Sequence, residues 1–263
     1  MDLGLKGQVA LVGGASKGLG LAVAEGLARE GVRVAICARS GGELLRQAER
    51  LSAAYDTDVI AVPSDLSKQD GANTALEGTV RSFGGVDILV TNAGGPPALR
   101  FEQTTDDHWN AAFQLTLMHV VRLSRLVAPI MEGRGGGRII NLASISVKQV
   151  IENLVLSTAI RAGVIGLAIT LATEFANRGI TVNNICPGYI RTSRLETLWG
   201  GSAERNGMTF DEYCAQQARN VPLGRIGVPT DIADLVVFLA SARAAYITGA
   251  TIQVDGGLYK GLL

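Results

Sequence analysis

An apolar run at residues 9–12 ends in Gly13-Gly14-Ala15-Ser16-Lys17-Gly18-Leu19-Gly20, and helix-forming residues begin at once. This junction constrains the chain more than any other stretch. Glycines at 14, 18 and 20 let the backbone leave a strand in a tight turn and come close to an anion. The N-terminus of the helix that follows supplies unpaired N–H groups and the positive end of a dipole. A strand, a glycine loop and a helix at the start of a βαβ unit form a cradle for a pyrophosphate. Gly14, Ser16, Lys17, Gly18, Leu19 and Gly20 are therefore expected to hold a dinucleotide.

The rest of the chain keeps the alternation that this start implies. Strand-like apolar runs recur at 9–12, 32–37, 59–62, 88–90, 138–142, 181–186 and 251–254. Most are continuous rather than alternating, as strands covered on both faces require. Helical stretches fall between them at 19–30, 43–54, 69–83, 106–131, 153–177 and 230–241, several closed by glycines such as Gly31, Gly84 and Gly179. The pattern predicts an α/β fold, a doubly wound parallel sheet of seven strands (a Rossmann fold), as a single domain over residues 1–263. One segment breaks the rhythm. Residues 192–220 are polar and glycine-bearing and leave the carboxyl end of the sixth strand, where a substrate lid is expected. Trp199, Met208, Phe210 and Tyr213 in that segment suggest an apolar substrate component or a lid packed shut.

Charge narrows the partners. Lys plus Arg and Asp plus Glu are 24 each, which offers no basic footprint for nucleic acid or an anionic membrane. The N-terminus lacks the features of a secretory signal. The most apolar helical stretch, 154–172, is interrupted by Arg161 and reads as a buried core helix, not a membrane span. Cys37, Cys186 and Cys214 are odd in number, lack metal-ligand spacing and read as small buried hydrophobes. A soluble, cytoplasmic protein without a metal is expected.

The end of the second strand bears on the kind of dinucleotide. An acidic residue there would hold both ribose hydroxyls of NAD and repel a 2′-phosphate; the chain reads Ala38-Arg39-Ser40, with Lys17 in the glycine loop. Two cations and no carboxylate favour NADP over NAD. Asp65 and Leu66 follow the third strand, where they would meet the adenine ring. Asn92, Ala93 and Gly94 follow the fourth, with Gly94-Gly95 allowing backbone close to the cofactor.

With these motifs in this order, the chain closely resembles the short-chain dehydrogenase/reductase family, in particular its 3-oxoacyl-(acyl-carrier-protein) reductase-like branch. The resemblance spans essentially the whole chain. It continues through Gly137-Arg138-Ile139-Ile140-Asn141, Gly179-Ile180-Thr181-Val182-Asn183, Pro187-Gly188-Tyr189-Ile190-Arg191-Thr192, Ile247-Thr248-Gly249 and Val254-Asp255-Gly256-Gly257. It implies an oxidoreductase using NADP(H) on a carbonyl or alcohol, a 3-oxoacyl-like compound or a small ketone. Pro187, Gly188, Ile190 and Thr192 are thereby placed among the cofactor contacts. The resemblance also implies a homotetramer or homodimer paired through the helices 106–131 and 153–177 and the last strand.

The family's active site combines Asn, Ser, Tyr and Lys, the last two as YxxxK on one helix. Ser144 matches the serine, but Ser157 stands where the tyrosine belongs, Arg161 where the lysine belongs and Thr116 where the asparagine belongs. No tyrosine occurs between Ile145 and Gly188 to restore the motif. Ser144, Ser157 and Arg161 are the candidate catalytic set, Ser157 and Arg161 being four apart and so on one helix face. A serine hydroxyl is far less acidic than a phenol. Arg161 would hold the nicotinamide ribose through its planar donor fork and act as an electrostatic anchor, not a proton relay. Substitute acids are Lys148 and Tyr189, although a surface lysine and a packing tyrosine lining the nicotinamide pocket are the plainer readings. His108 and His119 read as core or interface residues, and Asp231 and Asp234 as carboxylates offsetting a helix dipole. Two other functions stay open. One is a dinucleotide-binding sensor or scaffold without turnover; the other is a non-redox catalyst on the same scaffold. Halohydrin dehalogenases resemble the family and carry the arginine, but they keep the tyrosine and lose the glycine motif.

Overall fold

The computed structural model of the chain describes residues 2–262. Seven strands form one parallel sheet: β1 (Val9–Gly13), β2 (Arg33–Ala38), β3 (Val59–Pro63), β4 (Ile88–Thr91), β5 (Gly137–Leu142), β6 (Ile180–Pro187) and β7 (Thr251–Val254). Their order is β3-β2-β1-β4-β5-β6-β7. The helices are α1 (Gly18–Arg29), α2 (Gly41–Tyr55), α3 (Gln69–Phe83), α4 (Asp106–Phe113), α5 (His119–Gly133), α6 (Val155–Glu174), α7 (Ser193–Arg205), α8 (Phe210–Ala218) and α9 (Pro229–Ala240).

The alternation of strand side chains shows why both faces carry helices. In β1, Ala10 and Val12 join one apolar layer while Val9 and Leu11 join the other; β2 divides likewise, Val34 and Ile36 against Ala35 and Cys37. The first layer is completed by Leu27 of α1, Leu44 and Leu51 of α2, and Ile232 and Val236 of α9. The second is completed by Leu76 of α3, Leu123 and Val127 of α5, and Ala168 and Ala172 of α6. A strand buried on both faces has no polar side to show, hence the continuous apolar runs in the sequence. Cys37, Cys186 and Cys214 are free and buried.

The helices depart from the sequence pattern in three places. The single helix expected at 106–131 is α4 and α5 joined by a π-helical turn at Gln114–Met118. The stretch expected at 153–177 is α6 followed by a 3₁₀ turn at Ala176–Arg178. Its apolar sequence suggests a core helix, yet only one side is covered: Leu156, Ile160, Val164, Ala168 and Ala172 are buried, while Ala159, Ala162, Gly163, Gly166 and Ile169 are exposed. It is the one described helix long and apolar enough to cross a membrane. Finally, the polar segment 192–220 contains two unanticipated helices, α7 and α8. Trp199 of α7 sits edge-on between Tyr189 (centroids 4.8 Å apart) and Tyr213 of α8 (5.6 Å), which pins both helices to the end of β6.

Candidate functional site

The chain crosses from β1 through β2 to β3, then returns to place β4 on the other side of β1. At such a reversal the loops leaving adjacent strands diverge and open a crevice at their carboxyl ends. A cleft of about 740 Å³ lies there.

One end of the cleft is lined by Gly14, Ser16, Lys17, Gly18 and Leu19 between β1 and α1, by Arg39 after β2, and by Asp65 and Leu66 after β3. Lys17 is the N-cap of α1 and its side chain makes no capping bond; no acidic residue occupies the first turn. The helix N–H groups are thus left for an anion. Gly20 differs from its neighbours in the motif, because it does not line the cleft. It lies beneath the turn, where a Cβ would stand 2.5 Å from the Gly14 carbonyl oxygen and 2.8 Å from that of Gly13. Its part is to let α1 press against the loop. Burial raises the Asp65 carboxyl, but the Ser67 hydroxyl (2.7 Å) and amide (3.1 Å), with Arg39 and Lys68 nearby, bring it below the usual range. Asn92 reaches across from β4: its Nδ2 donates to the carbonyls of Gly13 (3.3 Å) and Gly14 (3.4 Å) and ties the two loops together. Ala93 and Gly94 continue the wall beside it.

The other end is built by the ends of β5 and β6 and by α6. Ser144, Ser157, Arg161, Pro187, Gly188, Ile190 and Thr192 all line it. Ser144 caps the 3₁₀ turn Ile145–Val147, its Oγ accepting from the Ser146 amide at 3.1 Å, which leaves its own O–H free to donate. Ser157 is largely buried, and its Oγ lies 3.5 Å from the Ser146 Oγ. Arg161 donates from Nη1 to the Leu142 carbonyl (2.9 Å) and from Nη2 to the Gly94 carbonyl (2.8 Å), while Nε has no partner. The fork expected to face a ribose is turned onto backbone, because the loop after β4 and the end of β5 present their carbonyls to α6. Burial, with the nearby charge of Arg194, pushes the guanidinium down to about 10, so it remains a cation at neutral pH.

Behind Arg161, the Thr116 hydroxyl in the π turn and both ring nitrogens of His119 are buried without a hydrogen-bond partner. Burial, with the positive charges of Arg161 and Arg122, lowers His119 to about 3, so the ring is neutral.

Several sequence readings fall elsewhere. Tyr189 does not line the cleft but a smaller cavity beside it, where burial raises its phenol and Trp199 packs against it. Lys148 Nζ lies over the Tyr259 ring at 5.6 Å, outside the cleft lining. His108 is not a core residue: it is half-buried and caps α4, its Nδ1 3.2 Å from the Thr105 amide. Asp231 accepts from the Val228 amide at the start of α9 and pairs with Arg225. Trp199, Met208, Phe210 and Tyr213 stay out of the cleft; Ser193, Arg194, Leu195 and Leu198 of α7 line it instead. The sequence carried a signal for these, Thr192-Ser193 before leucines spaced three apart, which is a helix start with one apolar face.

Comparison with known proteins agrees with this architecture. A family model described as Enoyl-(Acyl carrier protein) reductase matches residues 14–259. The 3-oxoacyl-(acyl-carrier-protein) reductase of Vibrio harveyi is 36% identical over 98% of this chain and 99% of its own length. That of Escherichia coli is 37% identical over 98% and 99%. Among solved structures, L-sorbose reductase from Gluconobacter frateurii, complexed with NADPH and L-sorbose, superposes with a TM-score of 0.96 at 36% identity over all of both chains. YwfH, an NADPH-dependent reductase involved in bacilysin biosynthesis, gives 0.92 at 27% identity over 97% of this chain and 99% of that one. From the glycine turn to the last strand, in sequence and in fold, the chain belongs to the short-chain dehydrogenase/reductase family, with homology to its 3-oxoacyl-(acyl-carrier-protein) reductases.

Proposed function

We propose that the chain is an NADP(H)-preferring oxidoreductase that reduces a carbonyl, a 3-oxoacyl compound or a small ketone, at an altered Ser/Arg site. One observation carries the reading. A single cleft has Lys17, Arg39 and an uncapped helix N-terminus at one end and the free Ser144 hydroxyl at the other. The residues fit the cofactor. The α1 N–H groups and Ser16 suit a diphosphate, and Lys17 and Arg39 suit a 2′-phosphate. The L-sorbose reductase structure is complexed with NADPH, which supports the same preference here.

When bound, the nicotinamide supplies the hydride. Ser144 donates a hydrogen bond to the substrate oxygen, its lone pair occupied by the Ser146 amide. Ser157 supports it through the Ser146 hydroxyl and is too short and too weak an acid to replace a phenol. Arg161 anchors the Leu142 and Gly94 carbonyls and favours negative charge developing on the substrate oxygen. The proton comes from solvent. Forgoing a positioned acid costs about 10²–10⁴-fold in rate. In this reading α7 and α8 form the substrate lid, with Leu195 and Leu198 turned inwards. The uncovered small-residue side of α6 pairs subunits of a cytoplasmic homotetramer or homodimer.

Single-turnover NADPH oxidation with a ketone and 3-oxoacyl panel tests the proposal. Reduction by the native chain that is lost in Ser144→Ala is expected. Tight NADPH binding with no oxidation of any compound would instead establish a scaffold without turnover, the second reading, which the absence of a tyrosine on α6 favours.

A further inference from the structure

Two guanidinium groups line the reacting end of the cleft, and no acid among the described residues lines it beside them. Arg161 comes from the middle of α6 and Arg194 from the first turn of α7, and both line the cleft. They grip carbonyls two residues apart, Arg161 that of Gly94 and Arg194 that of Pro96. Between them lies Gly95, where a Cβ would stand 3.1 Å from the Arg194 Nη2. The missing side chain lets that guanidinium lie close along the backbone. The two charges are near enough to repel, since Arg194 and burial together depress Arg161.

Neither arginine belongs to an ion pair among the described residues. Arg191, three residues earlier, is paired with Asp211 outside the cleft. Among the described residues the one carboxylate lining the cleft is Asp65, at the opposite end and engaged by Ser67. Withdrawing two like charges from water without a counter-ion is costly, and an anion entering between them removes that cost. The start of α7 adds to the same field, for Thr192 is its N-cap and makes no side-chain capping bond.

We propose that this pair forms an anion subsite and that the substrate is an oxo acid, a carbonyl compound bearing its own carboxylate. The inference rests on the reductase reading and names its substrate class. Arg194 is the specificity residue. Its one hydrogen bond to the described protein goes to Pro96, which leaves donors for a carboxylate in the planar, two-point geometry that guanidinium offers. Arg161 has already committed both Nη groups to carbonyls and contributes through its field. The cofactor's 2′-phosphate belongs to Lys17 and Arg39, at the other end, while the glycine turn reaches the start of α7, where a Cβ on Gly18 would stand 3.6 Å from the Thr192 methyl. Measuring NADPH affinity separately distinguishes the cofactor diphosphate from a substrate carboxylate. A neutral ketone or thioester would leave the two cations unmatched.

The test measures equilibrium binding to the full chain saturated with NADP⁺, which cannot deliver a hydride. Pyruvate and acetoacetate are titrated calorimetrically against their ethyl esters, for the native chain, Arg194→Met and Arg194→Lys, with NADPH affinity measured separately on each. At least one acid is expected to bind tenfold or more tighter than its ester. Arg194→Met should abolish that preference, Arg194→Lys should restore part of it, and NADPH affinity should change less than twofold. Equal binding of acid and ester, no binding of either acid, or a loss in Arg194→Met that falls on NADPH instead would overturn the proposal. Binding of the acids without NADPH oxidation would leave the anion subsite standing and sink the reductase reading.

Discussion

Asn141 and Asn184 face each other across β5 and β6, the Asn141 Nδ2 donating to the Asn184 Oδ1 at 3.0 Å. They are the middle of a longer chain. Thr91 Oγ1 of β4 donates to the Asn141 Oδ1 at 2.7 Å, and the Asn184 Nδ2 donates to Thr251 Oγ1 of β7 at 3.1 Å. The four residues are register partners, so one polar rung crosses four strands, at the carboxyl ends of β4 and β5, within β6 and at the start of β7. A satisfied polar network in a dry sheet holds its members rigidly, and the loops carrying Asn92 and Ser144 hang from it.

Breaking the rung is costly because Thr91, Asn141 and Asn184 are buried, Thr251 alone being partly exposed. Asn184→Leu leaves the Asn141 amide and the Thr251 hydroxyl without their partner. A loss of about 1–3 kcal/mol is expected, the cost of the one buried group left stranded, the Asn141 amide. Urea unfolding monitored by circular dichroism measures it, and a loss below about 1 kcal/mol would show that the chain relaxes around the gap.

The 2′-phosphate reading places the burden on Arg39, which is exposed at the cleft edge. Arg39→Ala should weaken NADPH binding by about 10–100-fold, the worth of one charge-assisted hydrogen bond, and leave NADH binding unchanged. Fluorescence titration with both nucleotides decides it. Equal losses for the two would assign Arg39 to the shared part of the cofactor.

Gly20 separates cofactor binding from cleft lining. A Cβ there collides with the Gly14 and Gly13 carbonyls, so Gly20→Ala must push α1 away from the turn. NADPH affinity is expected to fall more than tenfold while the thermal midpoint moves by only a few degrees. An unchanged affinity would mean that the loop binds nothing through its backbone.

His119 makes stability depend on acid. Its folded pKa, about 3, lies below the unfolded value of 6.5, so the unfolded chain takes up the proton first. The contribution is therefore complete above pH 6.5 and is lost as pH falls towards 3. His119→Phe should flatten the stability profile across that window when urea midpoints are compared at pH 4 and pH 7. A native profile no steeper than the variant's would place the histidine in contact with water.

The alternation of seven apolar runs with helical stretches and the glycine turn after the first run determined the fold class. Each follows from local chemistry, strand covering and a backbone that must approach an anion. The residues around the cleft were also legible one by one, from Lys17 to Thr192, because they sit at the carboxyl ends of strands whose order is nearly forced. Other features were not. A helix is recognised by its apolar stripe; α7 shows one only in the leucines after Thr192-Ser193 and α8 is short and polar. Their place is set by Trp199 packing on Tyr189 and Tyr213, contacts that no local window contains. The π turn at Thr116 lies within a helical pattern that looks unbroken. Above all, only the tertiary structure decided where Arg161 points and that Arg194 stands beside it. Those two residues are 33 apart in sequence. What brings them together is the folding of α6 and α7 onto the same short backbone stretch after β4, and what makes them matter is that, among the described residues, no carboxylate lines the cleft beside them.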